Sequence, residues 1–508
     1  MSAQNNANIG FEKQIWDAAC VLWGHIPAAE YRKVIVGLIF LRYISSAFEK
    51  HYNKLVEDGD GFEDDRDAYS ADNIFFVPEK ARWNVIAETA HTPEIGTVID
   101  NAMTEIESEN KSLKNVLPKN YANPDLDKRV LGDVVDIFTN NMNMDDTENS
   151  KDLLGRTYEY CIAQFAAHEG VKGGEFYTPS SIVRTIVEIL KPYENSRVYD
   201  PCCGSGGMFV QSAKFVEAHS GNRDCISVYG QESNADTWKM AKMNMAIRGI
   251  DANFGAYHAD TFFNDLHPTL RADFIMANPP FNLSSWGQDK LKDDKRWKYG
   301  LPPAGNANYA WIQHMIHHLA PNGKIGLVLA NGALSTQSSG EGEIRRKIIE
   351  DDLIEGIVAM PTQLFYSVTI PVTLWFITKN KKQSGKTLFI DARKMGYMVD
   401  RKHRDLTDED IAKLADTFTA FQDGMLEDVK GFCAAVTTDD IAKQDFILTP
   451  GRYVGIEEQE DDGEPFDEKM KHLTSELSEM FAKSHELEDE IREKLGAIGY
   501  AMERKESE

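Results

Sequence analysis

Val198-Tyr-Asp-Pro-Cys-Cys-Gly-Ser-Gly-Gly-Met-Phe209 is the stretch on which the reading of this chain turns. Val198 to Asp200 read as a short strand, and a helix is expected after the glycines. Gly204, Gly206 and Gly207 permit a tight turn in which backbone N–H groups can approach a ligand closely. The loop lacks both the G-x-G-x-x-G dinucleotide frame and the Gly-Lys-Ser/Thr ending of a P-loop, which disfavours nucleotide phosphates. Taken alone it is either a cofactor loop or a plain strand-to-helix turn.

Outward from this loop, short apolar strands alternate with helices between Asp152 and about Ala392. Candidate strands are Val198–Asp200, Val228–Gln231, Phe274–Ala277, Ile325–Ala330, Gly356–Met360 and Thr373–Thr378. Candidate helices are Ser180–Leu190, Ala235–Ile247, Tyr309–Leu319 and Glu343–Asp351. Such alternation predicts an α/β, doubly wound sheet with ligands at the carboxyl ends of its strands. Before it, Ile15, Trp16, Ala19, Leu22 and Trp23 recur at helical spacing and Val34 to Phe48 continues apolar, so residues 1–150 read as a helical domain. Arg401 to Tyr453 looks helical and mixed. An acidic break at Glu457–Asp462 precedes a helix whose Met470, Leu473, Leu477, Met480, Leu487 and Ile491 suit packing against a partner, with Ser484 interrupting the seam. The expected division is 1–150, 151–455 and 456–508.

The 508 residues allow about three domains at roughly 150 residues each. With 42% hydrophobic and 27% charged residues, the composition is that of a globular protein with a sizeable core. Cysteines at 20, 161, 202, 203, 225 and 433 form no CxxC pair, which points to reduced thiols and a cytoplasmic location. The N-terminus lacks the pattern of a signal peptide, and no apolar run reaches the ~18 residues of a membrane span.

Three further elements carry chemistry. Glu232 follows the strand Val228–Gln231 and could accept hydrogen bonds from ribose hydroxyls, although an exposed strand-end Glu is ordinarily just solvated. Asn278-Pro-Pro-Phe281 follows another strand. Asn-Pro is common turn chemistry, but one reading explains all four residues. The exocyclic amine of a base is a poor nucleophile, and two acceptors, the Asn278 side-chain oxygen and the Pro279 carbonyl, can orient its N–H groups. Pro279 and Pro280 stiffen the loop, and Phe281 offers a stacking face for an extruded base. Finally, in Gly173-Gly-Glu-Phe-Tyr-Thr-Pro179, Thr178 reads in isolation as a helix N-cap, while Phe176 and Tyr177 could line a cofactor pocket.

In this order, the four elements resemble the gamma arrangement of adenine N6 DNA methyltransferases that use S-adenosylmethionine. More narrowly, the chain is similar to the modification (M, HsdM) subunits of type I restriction-modification systems. The resemblance extends over Arg296-Trp-Lys-Tyr-Gly-Leu-Pro-Pro, Asn306-Ala-Asn-Tyr-Ala-Trp311 and the helical ends. It implies a Rossmann-like S-adenosylmethionine-dependent methyltransferase core with a helical N-terminal domain and a helical C-terminal tail. It places Glu175, Phe176, Tyr177, Thr178, Pro179 and Ser180 along the cofactor, together with Asp200 and Gly204. Ser205, Gly206 and Gly207 would lie near its amino-acid part, Glu232 on the ribose and Asp260 near the adenine ring. Asn278, Pro279, Pro280 and Phe281 would bind a target adenine flipped from double-stranded DNA. Cys202 departs from the small residue, usually Ala, found there in many relatives.

The resemblance also implies partners: a specificity subunit that chooses the DNA sequence, a second modification subunit (M2S1), and a restriction subunit that could join them. The alternatives are a self-sufficient adenine DNA methyltransferase, a protein or RNA amine methyltransferase, and a non-catalytic scaffold. No metal is expected. His314, His317 and His318 suggest one, yet their helix already packs through Trp311, Met315 and Leu319. Lys290, Lys292, Lys295, Arg296 and Lys298 lie in a polar loop placed to meet DNA, but the loop is too short to be a separate sequence reader.

The net charge is −26, of which Glu457 to Glu508, with 18 acidic and 7 basic residues, contributes −11. The remaining −15 opposes independent grip on DNA phosphates. The isolated chain is therefore expected to bind its cofactor but to retain duplex DNA weakly at physiological salt, as measured by gel shift. Tight, sequence-specific binding by the lone chain would contradict this.

Overall fold

The computed structural model describes residues 28–141 except 60 and 73, 160–161, 178–220, 226–365, 371–456 except 402, 466–497 and 500. Two compact units emerge, Met1–Gly455 and Ile456–Glu508. Among the described residues, three long helices come first: α1 (Ala28–Asp58), α2 (Ile95–Glu109) and α3 (Lys128–Asn141). Apolar residues at three- and four-residue spacing, such as Ile35, Leu38 and Ile39, Ile99, Met103 and Ile106, and Leu131, Val134 and Phe138, meet in one core. Among the described residues, no strand precedes Arg197.

The α/β region begins with α4 (Ser180–Leu190), β1 (Arg197–Asp200), α5 (Gly207–Ser220), β2 (Ser227–Gly230), α6 (Ala235–Ile247) and β3 (Ala252–Asn253). It continues with β4 (Ala272–Ala277), α7 (Asn308–His318), β5 (Leu319–Ala330), α8 (Glu341–Glu350), β6 (Ile354–Ala359) and β7 (Val372–Thr378). Then follow β8 (Lys386–Asp391), the small hairpin β9 (Tyr397–Met398) and β10 (Arg404–Asp405), α9 (Asp408–Gln422) and β11 (Cys433–Thr437). The second unit holds α10 (Phe466–Ala497), which runs through Ser484 without a break.

Nine strands form one sheet in the order β11-β8-β6-β7-β5-β4-β1-β2-β3. Strands β3, β2, β1, β4 and β5 are parallel, and β7 runs antiparallel between β5 and β6. Alternate residues of each strand feed two cores. Val198, Phe274 and Met276 pack with α4, α5 and α9 on one face. Tyr199, Ile275 and Ala277 pack with α7 and α8 on the other. The chain crosses from one side of β1 to the other when it passes from β3 to β4. That switch opens a crevice at the carboxyl ends of β1 and β4.

The structure departs from the sequence reading in a few places. Strand β5 starts at Leu319 rather than Ile325, because the Pro321-Asn-Gly segment is accommodated by a register shift against β4. Strands β8 and β11 were not among the candidates; β11 is short, rich in small residues and pairs along its length with β8, while its first residue, Cys433, also bridges Val429. Helix α4 lies so close to the sheet that a Cβ at Gly326 would fall 2.4 Å from Ile186 Cγ2. Gly326→Ala is expected to cost about 1–3 kcal/mol of stability, as overpacking does, measured by urea unfolding. An unchanged midpoint would mean that α4 can shift away.

Candidate active site

The glycine loop leaves β1 at Asp200, whose carboxylate accepts the Cys202 N–H at 2.9 Å. Gly204 (φ 54°) and Gly206 (φ 82°) occupy the left-handed region that favours glycine. Among the described residues, nothing lies within 4 Å of the place a Cβ would take on Gly207, so the described part of the loop is open on that side. The end of β2 braces it. The Cys203 N–H donates to the Gln231 carbonyl at 2.9 Å, and Glu232 accepts the Gly204 N–H at 3.2 Å and the Asn234 N–H at 2.8 Å. From α6, Asn244 Nδ2 donates to the Ser205 carbonyl at 2.7 Å. Thr261 holds Pro201 by donating its hydroxyl to that carbonyl at 2.5 Å.

Glu232 is buried, and its carboxylate also accepts the Ser233 hydroxyl at 3.4 Å; of its about four lone-pair sites, these bonds leave one for a further donor. Burial raises its pKa, against the pull of the Asn234 and Gly204 N–H groups. Burial likewise pushes Asp200 up to about 7, although the Cys202 N–H opposes it. Burial, Asp200 and Glu232 hold the Cys202 and Cys203 thiols well above their ordinary value, so neither is a thiolate nucleophile. Cys161, Cys202, Cys203 and Cys433 are all free thiols. Asp260 is exposed, and its carboxylate caps a turn by accepting the Phe262 and Phe263 N–H groups.

At the end of β4, Asn278 is half-buried and Pro279 buried. Asn278 Nδ2 donates to Thr178 Oγ1 at 2.9 Å, while its Oδ1 is buried without a hydrogen-bond partner among the described residues. Phe281 meets Phe365 edge to face at a centroid distance of 6.0 Å. The next residue, Asn282, has φ 53° and is fixed by amides. Its Oδ1 accepts from Asn306 Nδ2 at 3.2 Å and from Asn308 Nδ2 at 3.0 Å. Glu175, Phe176 and Tyr177 lie outside the described residues; Pro179 is buried and Ser180 opens α4.

The loop after Phe281 corrects one sequence expectation. Arg296 is 6% exposed and cannot reach DNA. Its guanidinium donates to the Thr261 and Phe262 carbonyls at 3.1 and 2.5 Å and to Asp294 Oδ2 at 2.7 Å. It thereby ties the 282–307 loop to the segment beside Asp260. Lys298 pairs with Asp351 at 2.8 Å, which leaves exposed Lys290, Lys292 and Lys295 as the basic residues of that loop facing solvent without an ion pair among the described residues.

Asp265, His314 and His318 approach one another closely enough to suggest a metal. Their ring nitrogens are spent, however: His314 on Tyr199 Oη and Arg296 Nη1, both at 3.1 Å, and His318 on Asp265 at 2.9 Å and the Leu270 carbonyl at 3.2 Å. Burial, then His318 and Arg296, keep His314 neutral. The cluster is a buried hydrogen-bond network beneath β1. Sequence reasoning missed Asn244, Thr261, Phe365 and the clamp role of Arg296, because each acts through a partner distant in the chain.

Fold and loop together define an S-adenosylmethionine-dependent methyltransferase. The N-6 DNA Methylase family model matches residues 149–462, and the HsdM N-terminal domain model matches residues 11–138. The chain is 50% identical over 447 residues to the type I restriction enzyme HindI methylase subunit of Haemophilus influenzae, covering 84% of this chain and all of that one. It is 38% identical over 520 residues to the MjaIX methylase subunit of Methanocaldococcus jannaschii, covering 96% and 92%. In fold it resembles a type I restriction-modification methyltransferase subunit from Streptococcus thermophilus, with a TM-score of 0.75 at 24% identity, over 88% of this chain and 99% of that one. The chain belongs to the N-6 DNA methylase family, within the methylase subunits of type I restriction enzymes.

The raised pKa of Asp200 has a stability consequence. Ionising a buried acid costs nothing at a pH where it stays protonated in both states, and the penalty grows as the pH rises towards and through about 7. Asp200→Asn keeps the acceptor for Cys202 without the charge. In the cofactor-free protein, its melting temperature is expected to exceed the parent's by more at pH 8 than at pH 5. An equal difference at both pH values would refute the account.

Proposed function

We propose that this chain is the methylation subunit of a type I restriction-modification complex, transferring a methyl group from S-adenosylmethionine to N6 of an adenine in a DNA sequence chosen by a separate specificity subunit. The observation that carries the reading is the unpaired, buried Asn278 Oδ1 at the end of β4, beside the glycine loop. A buried acceptor without a partner costs about 1–3 kcal/mol. An N–H of the target amine satisfies it, and the Pro279 carbonyl takes the second. So held, the amine keeps its lone pair turned toward the incoming methyl group.

Phe281, backed by Phe365, supplies a face for the extruded base. The cofactor, when bound, supplies an electrophilic methyl group on its sulfonium. Asp200, Gly204, Ser205, Gly206, Gly207 and Glu232 would hold it, with Asp260, Glu175, Phe176, Tyr177, Pro179 and Ser180 along its length and Thr178 contributing its backbone there while its hydroxyl holds Asn278. The space at Gly207, open among the described residues, and the remaining lone pair of Glu232 support that fit. A division into residues 1–150, 151–455 and 456–508 belongs to the same reading.

Several observations favour a subunit over a self-sufficient enzyme. Arg296 is committed to the protein interior, the net charge is strongly negative, and α10 exposes Met470, Leu473, Leu477, Met480, Leu487 and Ile491. Each suits reliance on a partner for sequence reading. Pairing of two such subunits with one specificity subunit, a joining restriction subunit and a cytoplasmic location are parts of the proposal. No described helix is long and apolar enough to cross a membrane.

The test uses the chain assembled with its specificity subunit. Asn278→Ala is expected to abolish transfer of labelled methyl to DNA while leaving S-adenosylmethionine binding by calorimetry intact. Turnover at the parent rate would sink the assignment.

A further inference from the structure

Thr178 is separated from Asn278 by 100 residues, yet its hydroxyl makes the one hydrogen bond to the Asn278 amide among the described residues. In isolation the hydroxyl reads as a helix cap. The structure shows otherwise: the N-cap of α4 is Pro179, and no side chain caps that end. The Thr178 Oγ1 is therefore free of a helical duty.

Its effect on Asn278 follows from amide geometry. The terminal torsion of an Asn side chain is soft and roughly two-fold, so an unanchored amide presents either its oxygen or its NH2 to a neighbour. These two faces have opposite meaning to an incoming amine. The oxygen accepts an N–H, whereas the NH2 sets donor against donor. With Pro279 and Pro280 stiffening the backbone that follows, this torsion is the remaining freedom of the group. Thr178 anchors it: in the structure its hydroxyl accepts Nδ2–H, and Oδ1 has no hydrogen-bond partner among the described residues. Because a hydroxyl can also donate, the anchor holds the amide in place beside the target and the incoming amine selects its oxygen face. Donation from Nδ2 also polarises the amide and makes Oδ1 a better acceptor.

We propose that Thr178 is a positioning residue for methyl transfer, anchoring the Asn278 amide in place beside the target amine. The inference rests on Asn278 being the amine acceptor and goes beyond it by assigning a second residue, otherwise read as lying along the cofactor, to the reacting geometry.

The test compares Thr178→Val, which keeps the shape and removes the hydroxyl, with Thr178→Ser, which keeps the hydroxyl. Both are assayed in the assembled methylase complex. The Val variant is expected to lower kcat by about tenfold or more, a range typical of lost outer partners of a functional group. Its affinity for S-adenosylmethionine, by calorimetry, and its melting temperature should be unchanged. The Ser variant should stay within about twofold of the parent. Three results would each overturn the proposal: a parental kcat in the Val variant, weakened cofactor binding with kcat preserved, or a Ser variant as slow as Val. If Asn278→Ala is inactive while Thr178→Val is normal, only this inference falls; an active Asn278→Ala removes the parent reading instead.

Discussion

Parallel pairing of β1 with β4, with Val198 beside Phe274 and Tyr199 beside Ile275, brings together two loops that lie some 70 residues apart in the chain. Adjacent strands run about 4.8 Å apart, so segments leaving their carboxyl ends must emerge as neighbours. One of these segments is the glycine loop, the other is Asn278-Pro-Pro-Phe281. Their proximity needs no special contact between them. It is a property of the strand order, and what remains for the side chains is to fix the details within an imposed spacing.

Those details are fixed by buried polar groups used as braces. Glu232 reaches from the end of β2 to the Gly204 N–H, and Asn244 reaches from α6 to the Ser205 carbonyl. Arg296 joins three pieces of chain, the 282–307 loop, the Thr261–Phe262 carbonyls and His314 of α7. Hydrogen bonds between a charged group and backbone carbonyls are among the stronger ones and are costly to leave unmade. Each brace is thus a source of rigidity at a site that must present acceptors in defined directions.

Much of this was legible in the sequence. The strand and helix alternation, the glycine loop, Glu232 at a strand end and Asn278 after β4 all stand at positions where a local pattern meets a turn signal. What was not legible follows one physical rule: the function of a polar side chain depends on a partner that the linear pattern does not reveal. Arg296 sits among lysines and reads as a surface cation, but its acceptors come from residues 261 and 262. Thr178 precedes Pro179 and reads as a cap, but its partner is 100 residues away. Strand β5 reads as Ile325–Ala330 but begins at Leu319, because the sheet absorbs the Pro321-Asn-Gly segment by shifting register.

Helix α6 serves two masters. Trp238, Ala241 and Met245 face the sheet, while Met240, Met243 and Ile247 complete the apolar interior of the N-terminal helices, and Tyr43 donates its hydroxyl to the Ile247 carbonyl at 3.0 Å. Residues contributed from beyond position 235 are therefore part of the interior that the first helices need. The N-terminal segment is a module when the chain is read as text, but severed at a linker it would be left with an open apolar face. Duplication or exchange of that segment among relatives must carry a compatible α6 with it.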